Sequence, residues 1–284
     1  MNKFQSIKKP IVFTSTLLLA AILAGCGGSS GGGTTAASPA ATGATCTATT
    51  GCVDLGTAAN YAILAEAGVT YTPTATATST PKIIGNIGIS PAAASFITGF
   101  ALNLPAGGAY STSTLVNGAI YAPGYAAPTP ANLTTAIGDK LAAYNAAAAM
   151  ATAGGGVGSL GACPNAGTGA LGGVTLTPGV YTCGVSVSIG TATDVTLSGA
   201  GVYVIKTTGT LTQAANTQVI LTNGALPENV FWQVAGAVSI GAGAHMEGNI
   251  LSASDISLVT GATVKGRLYS ATGVAMDANT VTQP

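Results

Sequence analysis

The last third of the chain repeats itself. Ser239-Ile240 recurs 18 residues on as Ser257-Leu258, and again as Ala275-Met276. Met246-Glu247-Gly248-Asn249-Ile250-Leu251-Ser252 recurs at the same interval as Val264-Lys265-Gly266-Arg267-Leu268-Tyr269-Ser270. Apolar positions keep their column while the others vary. A unit this short cannot bury its own apolar side, so copies must stack and share one core. Eighteen residues divide into three sides of about six, each fit for one short strand with alternate side chains in and out. Looser copies stand at Val185-Ser186-Val187-Ser188-Ile189 and Gly209-Thr210-Leu211-Thr212, spaced 24 and 27 residues, with Asn223 to Glu228 as the insert in the second. Ile83-Ile84-Gly85-Asn86-Ile87 and Val116-Asn117-Gly118-Ala119-Ile120 echo the Gly248 segment. The pattern predicts an all-β fold, a triangular β-solenoid (β-helix) of ~18-residue coils built from both ends of the domain.

One helix interrupts it, at about 129–152. Thr129 suits the N-cap and Pro130 the first helical position. Leu133, Ile137, Leu141, Tyr144 and Ala148 form an apolar stripe at helical spacing, which requires a surface to lie on. Gly154-Gly155-Gly156 ends it.

The N-terminus reads as export machinery. Lys3, Lys8 and Lys9 precede an apolar run from Ile11 to Ala24, whose length of about 14 residues suits a signal h-region and not a membrane span. Leu23-Ala24-Gly25-Cys26 resembles the lipobox of bacterial lipoproteins. That resemblance implies a signal peptide over 1–25, lipid on Cys26, and a chain anchored to the envelope at the outer membrane or cell surface. Residues 26–52 are dominated by Gly, Ser, Thr, Ala and Pro, and make a tether. The domain runs over 53–284. In an oxidising compartment the remaining cysteines pair as disulfides, Cys46 with Cys52 and Cys163 with Cys183. Their spacings do not suit zinc, and His245 is the single histidine.

Charge excludes several partners. Only 6% of residues are charged, against a typical ~25%. Without the signal, five Lys and Arg face eight acids, so no basic patch for nucleic acid can form. The acids Asp54, Glu66, Asp139, Asp194, Glu228, Glu247, Asp255 and Asp277 are scattered and give no carboxylate pair for acid–base catalysis, so the chain reads as a non-enzyme without cofactor or metal.

The three sides of the repeat differ. One presents Ser186 and Ser188, Thr210 and Thr212, Ala237 and Ser239, Asp255 and Ser257, then Gly273 and Ala275. The second carries Asp194, Thr196, Gln218, His245, Glu247, Thr263, Lys265 and Arg267. The third holds Tyr203, Ile205, Phe231, Trp232 and Tyr269, bulky enough to receive the helix. Gln213 falls in an inward, otherwise apolar column. On the first side, hydroxyls repeated at the inter-strand spacing of ~4.7–4.9 Å, with threonine χ1 restricted, make a stiff, flat, charge-poor array.

Six segments carry a resemblance: Val53-Asp54-Leu55-Gly56-Thr57-Ala58-Ala59-Asn60-Tyr61-Ala62-Ile63-Leu64-Ala65, Gly85-Asn86-Ile87-Gly88-Ile89-Ser90-Pro91, Tyr125-Ala126-Ala127-Pro128-Thr129-Pro130, Leu176-Thr177-Pro178-Gly179-Val180-Tyr181, Asp194-Val195-Thr196-Leu197-Ser198-Gly199 and Val230-Phe231-Trp232-Gln233-Val234. Together they resemble the ice-binding (antifreeze) proteins of cold-adapted bacteria, fungi and algae. The resemblance implies a discontinuous right-handed solenoid with a long α-helix packed on one face, secretion, adsorption to ice, inhibition of recrystallisation, and no cofactor. Some members carry a Thr-Ala/Gly-x-Thr/Asn motif beside the ice face. Thr260-Gly261-Ala262-Thr263 matches it, while Ala214-Ala215-Asn216-Thr217 and Ala242-Gly243-Ala244-His245 match poorly. The ice surface expected is therefore Ser186, Ser188, Thr210, Thr212, Ser239, Ser257, Thr260, Thr263 and Ala275. The partners expected are the ice crystal and, through Cys26, a membrane, with the protein itself a monomer. The other reading is a cell-surface adhesin or envelope structural protein that does not bind ice.

Overall fold

A computed structural model describes residues 53–73, 82–150, 163–165 and 167–284. The signal segment, Cys26, the tether and the Cys46–Cys52 pair lie outside the described residues. Short strands, all paired in parallel except the antiparallel Ser111–Ser113, form three sheets of 11, 7 and 3 strands, with one long helix, Thr129–Ala149, against the largest. Strands of the seven-stranded sheet alternate buried and outward residues, whereas Tyr61–Ala65 and Val230–Val234 of the largest sheet are buried throughout. One elongated core runs from Ala62 to Val281, and a second cluster lies between the largest sheet and the helix.

The expectation of a right-handed triangular solenoid of ~18-residue coils is corrected by the strand pairing. A regular solenoid pairs each turn with its sequence neighbours and leaves both ends open. Here Tyr61–Ala65, the first strand, pairs with both Asn86–Ile89 and Thr263–Ser270. Asn86–Ile89 pairs with Val116–Tyr121, which pairs with Ile83–Ile84, and that strand pairs with Thr280–Thr282, which returns to Thr263–Ser270. These six parallel strands close into a barrel-like ring, and the remaining strands extend from it. The 18-residue spacing belongs only to the C-terminal copies. The N-terminal strands have other spacings, because they must insert beside the last ones rather than follow in order.

Glycines stand where neighbouring strands of the largest sheet approach most closely. Gly248 pairs with Gly266. A Cβ on Gly266 would stand 1.8 Å from the Gly248 carbonyl oxygen, which no side chain tolerates. Gly118, at φ +159°, approaches Gly85 in the same way, with 2.4 Å left for a Cβ.

The helix presents a different face from the one its spacing suggested. Leu133, Ala136, Lys140, Ala143 and Ala147 are buried, whereas Leu141 is exposed. The sheet under it offers Val204, Phe231, Leu251 and Tyr269, all packed with Leu133 and Ala136 in one cluster. Tyr203, Ile205 and Trp232 point the other way, into the main core, as strand alternation requires. Small alanines allow close approach of helix to sheet. Thr129 is the first helical residue rather than the cap, and its hydroxyl donates to the Ala109 carbonyl.

Four of the few charges pin this helix. Lys140 Nζ lies 2.7 Å from both Glu66 Oε1 and the Ser270 carbonyl oxygen. Burial pushes the Lys140 ammonium below its ordinary pKa, and Glu66 opposes that shift. Asp139 Oδ2 accepts from the Thr57 amide at 2.7 Å and from its hydroxyl at 2.6 Å. Lys206 Nζ donates to the Ala148 carbonyl, where the helix C-terminus carries partial negative charge. Arg267 is buried, not part of the charged outer side, and donates to Asn249 Oδ1 and the Ala59 carbonyl. Cys163 is bonded to Cys183, 20 residues on. Gln213, the odd inward residue, spans a corner: its Nε2 donates to the Thr217 and His245 carbonyls at 2.9 and 3.1 Å.

Candidate functional site: a seven-strand hydroxyl face

The seven-stranded sheet builds a repetitive outer surface in continuous register. Its order is Val187–Ile189, Leu211–Gln213, Val238–Ile240, Ile256–Leu258, Gly273–Asp277, Gly68–Thr72 and Ile97–Thr98. The register places Ser188, Thr212, Ser239, Ser257, Ala275, Thr70 and Thr98 in a single column. All but half-buried Ser188 are exposed. Seven strands at the parallel spacing span roughly 29 Å. On the inner side Val187, Leu211, Val238, Ile256, Val274, Val69 and Ile97 are buried and fix the backbone from beneath.

Hydroxyls in the array hold one another. Thr210 Oγ1 donates to Ser186 Oγ at 3.1 Å, and Thr98 Oγ1 donates to Thr70 Oγ1 at 3.1 Å. Such bonds limit rotamers already restricted by β-branching.

Charge stays at the margins. Asp255, one residue ahead of the strand Ile256–Leu258, turns Oδ1 to the Thr272 hydroxyl and the Gly273 amide. Asp277, the last residue of its strand, accepts from the Thr260 hydroxyl. Neither carboxylate stands in the central column.

Of the residues singled out by sequence, Ser188, Thr212, Ser239, Ser257 and Ala275 share the column. Ser186 and Thr210 stand beside it. Thr260 and Thr263 do not join it. Thr260 sits past the strand end on Asp277. Thr263 opens the strand Thr263–Ser270 of the largest sheet, where its hydroxyl lies 2.8 Å from His245 Nδ1. Thr70 and Thr98 are the residues that sequence reasoning missed. Their signal was the alternation Gly68-Val69-Thr70-Tyr71-Thr72, outside the 18-residue spacing. Among the described residues, no group of three or more His, Cys, Asp or Glu side chains could hold a metal ion. No helix among them is long and apolar enough to cross a membrane.

The class this geometry defines is a parallel β fold that presents a rigid, flat, charge-poor array of small hydroxyl and methyl groups. The chain belongs to the ice-binding-like family, whose model it matches over residues 63–282. It is 45% identical over 205 residues to ice-binding protein K1-A of Typhula ishikariensis, covering 70% of this chain and 76% of that one. It is 39% identical over 237 residues to an ice-binding protein of Leucosporidium sp. (strain AY30), covering 82% and 84%. Among solved structures, a glycosylated ice-binding protein from an Arctic yeast superposes with a TM-score of 0.74 at 38% identity, covering 82% of this chain and 94% of that chain. A domain of Shewanella frigidimarina ice-binding protein 1 gives 0.69 at 32% identity, covering 82% and 97%.

Proposed function

We propose that the chain binds ice through the seven-strand face and so slows ice growth and recrystallisation, or attaches its bearer to ice. Family membership supports ice as the ligand. The single observation that supports this face is the column Ser188–Thr212–Ser239–Ser257–Ala275–Thr70–Thr98, seven small side chains in unbroken register without a charge.

The physical reasoning is one of many weak contacts. An ice surface offers no deep cavity and no single charge to grip. Holding it requires polar and apolar groups fixed over a wide flat area, because each mobile side chain would lose entropy on contact. Lys, Arg, Asp and Glu order water around themselves and compete with the lattice. The column avoids them, and the strands beneath fix its shape before contact.

The segment Lys3 to Cys26 supports export and lipid attachment, which would hold the domain at the cell surface on its tether. In that setting adsorption to ice doubles as adhesion. The chain acts without catalysis in this reading. Uptake of the full chain into a slowly grown ice hemisphere tests it. The chain should enter the ice at a concentration where an unrelated soluble protein is excluded. Exclusion of a folded chain sinks the reading.

A further inference from the structure

We propose that Asp255 limits how tightly the hydroxyl face holds ice, because it sets an uncompensated charge there where the fold needs only a hydrogen-bond acceptor. The inference rests on the seven-strand face being the ice surface. Asp255 stands two residues before Ser257, so both side chains leave the same side of the strand. The pairing of Ile256 with Val238 and Val274 sets Asp255 between Ala237 and Gly273. Ser186, Thr210, Ala237, Asp255, Gly273 and Gly68 thus form a second column beside the central one. Asp255 is its only charged member.

Its hydrogen bonds have a neutral counterpart in the same column. Asp255 Oδ1 accepts from the Gly273 amide at 3.1 Å and from the Thr272 hydroxyl. Ser186 Oγ accepts from the Thr210 amide and the Thr210 hydroxyl, each at 3.1 Å. In both cases a side chain takes the amide at the same place on the next strand. A hydroxyl does this at Ser186, so the bond to the next strand does not require a charge. Both bonds to Asp255 fall on Oδ1. Among the described residues no group donates to Oδ2, and no ion pair includes Asp255. The residue is exposed, and its neighbours Gly273 and Gly68 bring no side chain to shield it. Its charge is therefore held by water. Ice laid on the column must strip that water or leave liquid there, and stripping water from an unpaired charge is costly. Asp277, the other carboxylate at the margin, is half-buried and accepts from the Thr260 hydroxyl, so it weighs less.

The experiment compares the full chain with Asp255→Asn, Asp255→Ser and Glu228→Gln. It reads uptake into an ice hemisphere and the lowest concentration that stops recrystallisation. Asp255→Asn keeps the shape and the Oδ1 acceptor, and Asp255→Ser copies the arrangement at Ser186. Glu228 is exposed and lies outside the hydroxyl face, just ahead of Val230–Val234. Glu228→Gln therefore removes the same charge without touching the column. Both Asp255 variants should enter ice more readily and stop recrystallisation at a severalfold lower concentration, with melting temperatures close to native. Glu228→Gln should match the native chain. If one Asp255 variant does not fold, the other decides; failure of both to fold overturns the proposal, since the charge would then be structural. Equal or weaker uptake by a folded Asp255 variant, when the native chain enters ice, overturns the proposal and leaves the ice reading standing. An equal gain in Glu228→Gln also overturns it, because net charge alone would account for the effect. Exclusion of the native chain and all variants removes the ice reading and the proposal with it.

Discussion

Thr98 Oγ1 donates to Thr70 Oγ1 across 3.1 Å, and these two threonines complete a column whose other members lie between Ser188 and Ala275. The two ends of the chain therefore share one surface. The strand Gly68–Thr72 pairs with the C-terminal strand Gly273–Asp277 over five residues, which fixes Thr70 beside Ala275.

A first prediction concerns that shared surface. If its N-terminal part takes up ice, Thr70→Tyr should reduce the fraction of chain entering an ice hemisphere and raise the concentration needed to stop recrystallisation by roughly tenfold, equivalent to about 1.4 kcal/mol. Circular dichroism should be unchanged, because Thr70 points outward from a well-buried strand. Uptake equal to that of the native chain would confine the active face to the C-terminal strands.

The buried pair beneath the helix makes an asymmetric prediction. Lys140 is 5% exposed, whereas a third of the Glu66 side chain meets solvent. Glu66→Ala leaves a buried ammonium with only the Ser270 carbonyl, and should cost roughly 3 kcal/mol of unfolding free energy. Lys140→Met leaves a carboxylate that can reach water, and should cost about 1 kcal/mol or less. Urea unfolding of both variants checks the order. A larger loss in Lys140→Met would contradict it.

Much of this was legible in sequence, and some was not. Ile83-Ile84-Gly85 and Val116-Asn117-Gly118 were recognisable as echoes of the Gly248 segment. The structure stacks the strands that carry them, since only glycine permits that close approach. The ring closure was not legible, because the strand Tyr61–Ala65 pairs not only with Asn86–Ile89 but, through Ile63 and Leu64, with Leu268 and Tyr269 some 200 residues away, which no local spacing records. The helix face was misread because alanine carries too little hydrophobic contrast. Leu141 looked like core and is exposed, while Lys140, outside the stripe, is buried. The column Ser188 to Ala275 followed from the repeat. Thr70 and Thr98 lay outside it, and Thr260 and Thr263, brought in by the family motif, stand outside the column.

Alkaline stability follows from the buried phenols. Burial pushes Tyr61 from its usual 10.0 up to about 12, and pushes Tyr269 up further. A group whose folded pKa lies above its unfolded one contributes stability that is full below the unfolded value and is lost as pH rises through the folded value. Unfolding free energy should therefore fall steadily from pH 10 to 12. Lys140, lowered by burial, works in the opposite sense only up to its usual 10.5. Chemical unfolding at stepped pH reads this directly. Constant stability across that window would mean that the phenols are hydrated in the folded protein.

The disulfide closes a loop of 20 residues. In the chain-entropy account such a loop contributes about 3 kcal/mol. Replacing Cys163 and Cys183 together by serine should lower the melting temperature by roughly 6–12 °C for a domain of this size. No change would show that the unfolded chain is not restrained by the bond.

The most direct test of the central claim compares ice uptake by the native chain, Thr212→Tyr in the column, and Lys265→Tyr on the neighbouring sheet. The account predicts that the native chain and Lys265→Tyr enter the ice hemisphere and Thr212→Tyr is largely excluded, all three being folded. Entry of Thr212→Tyr with exclusion of Lys265→Tyr would place the ice surface on the neighbouring side and contradict the account.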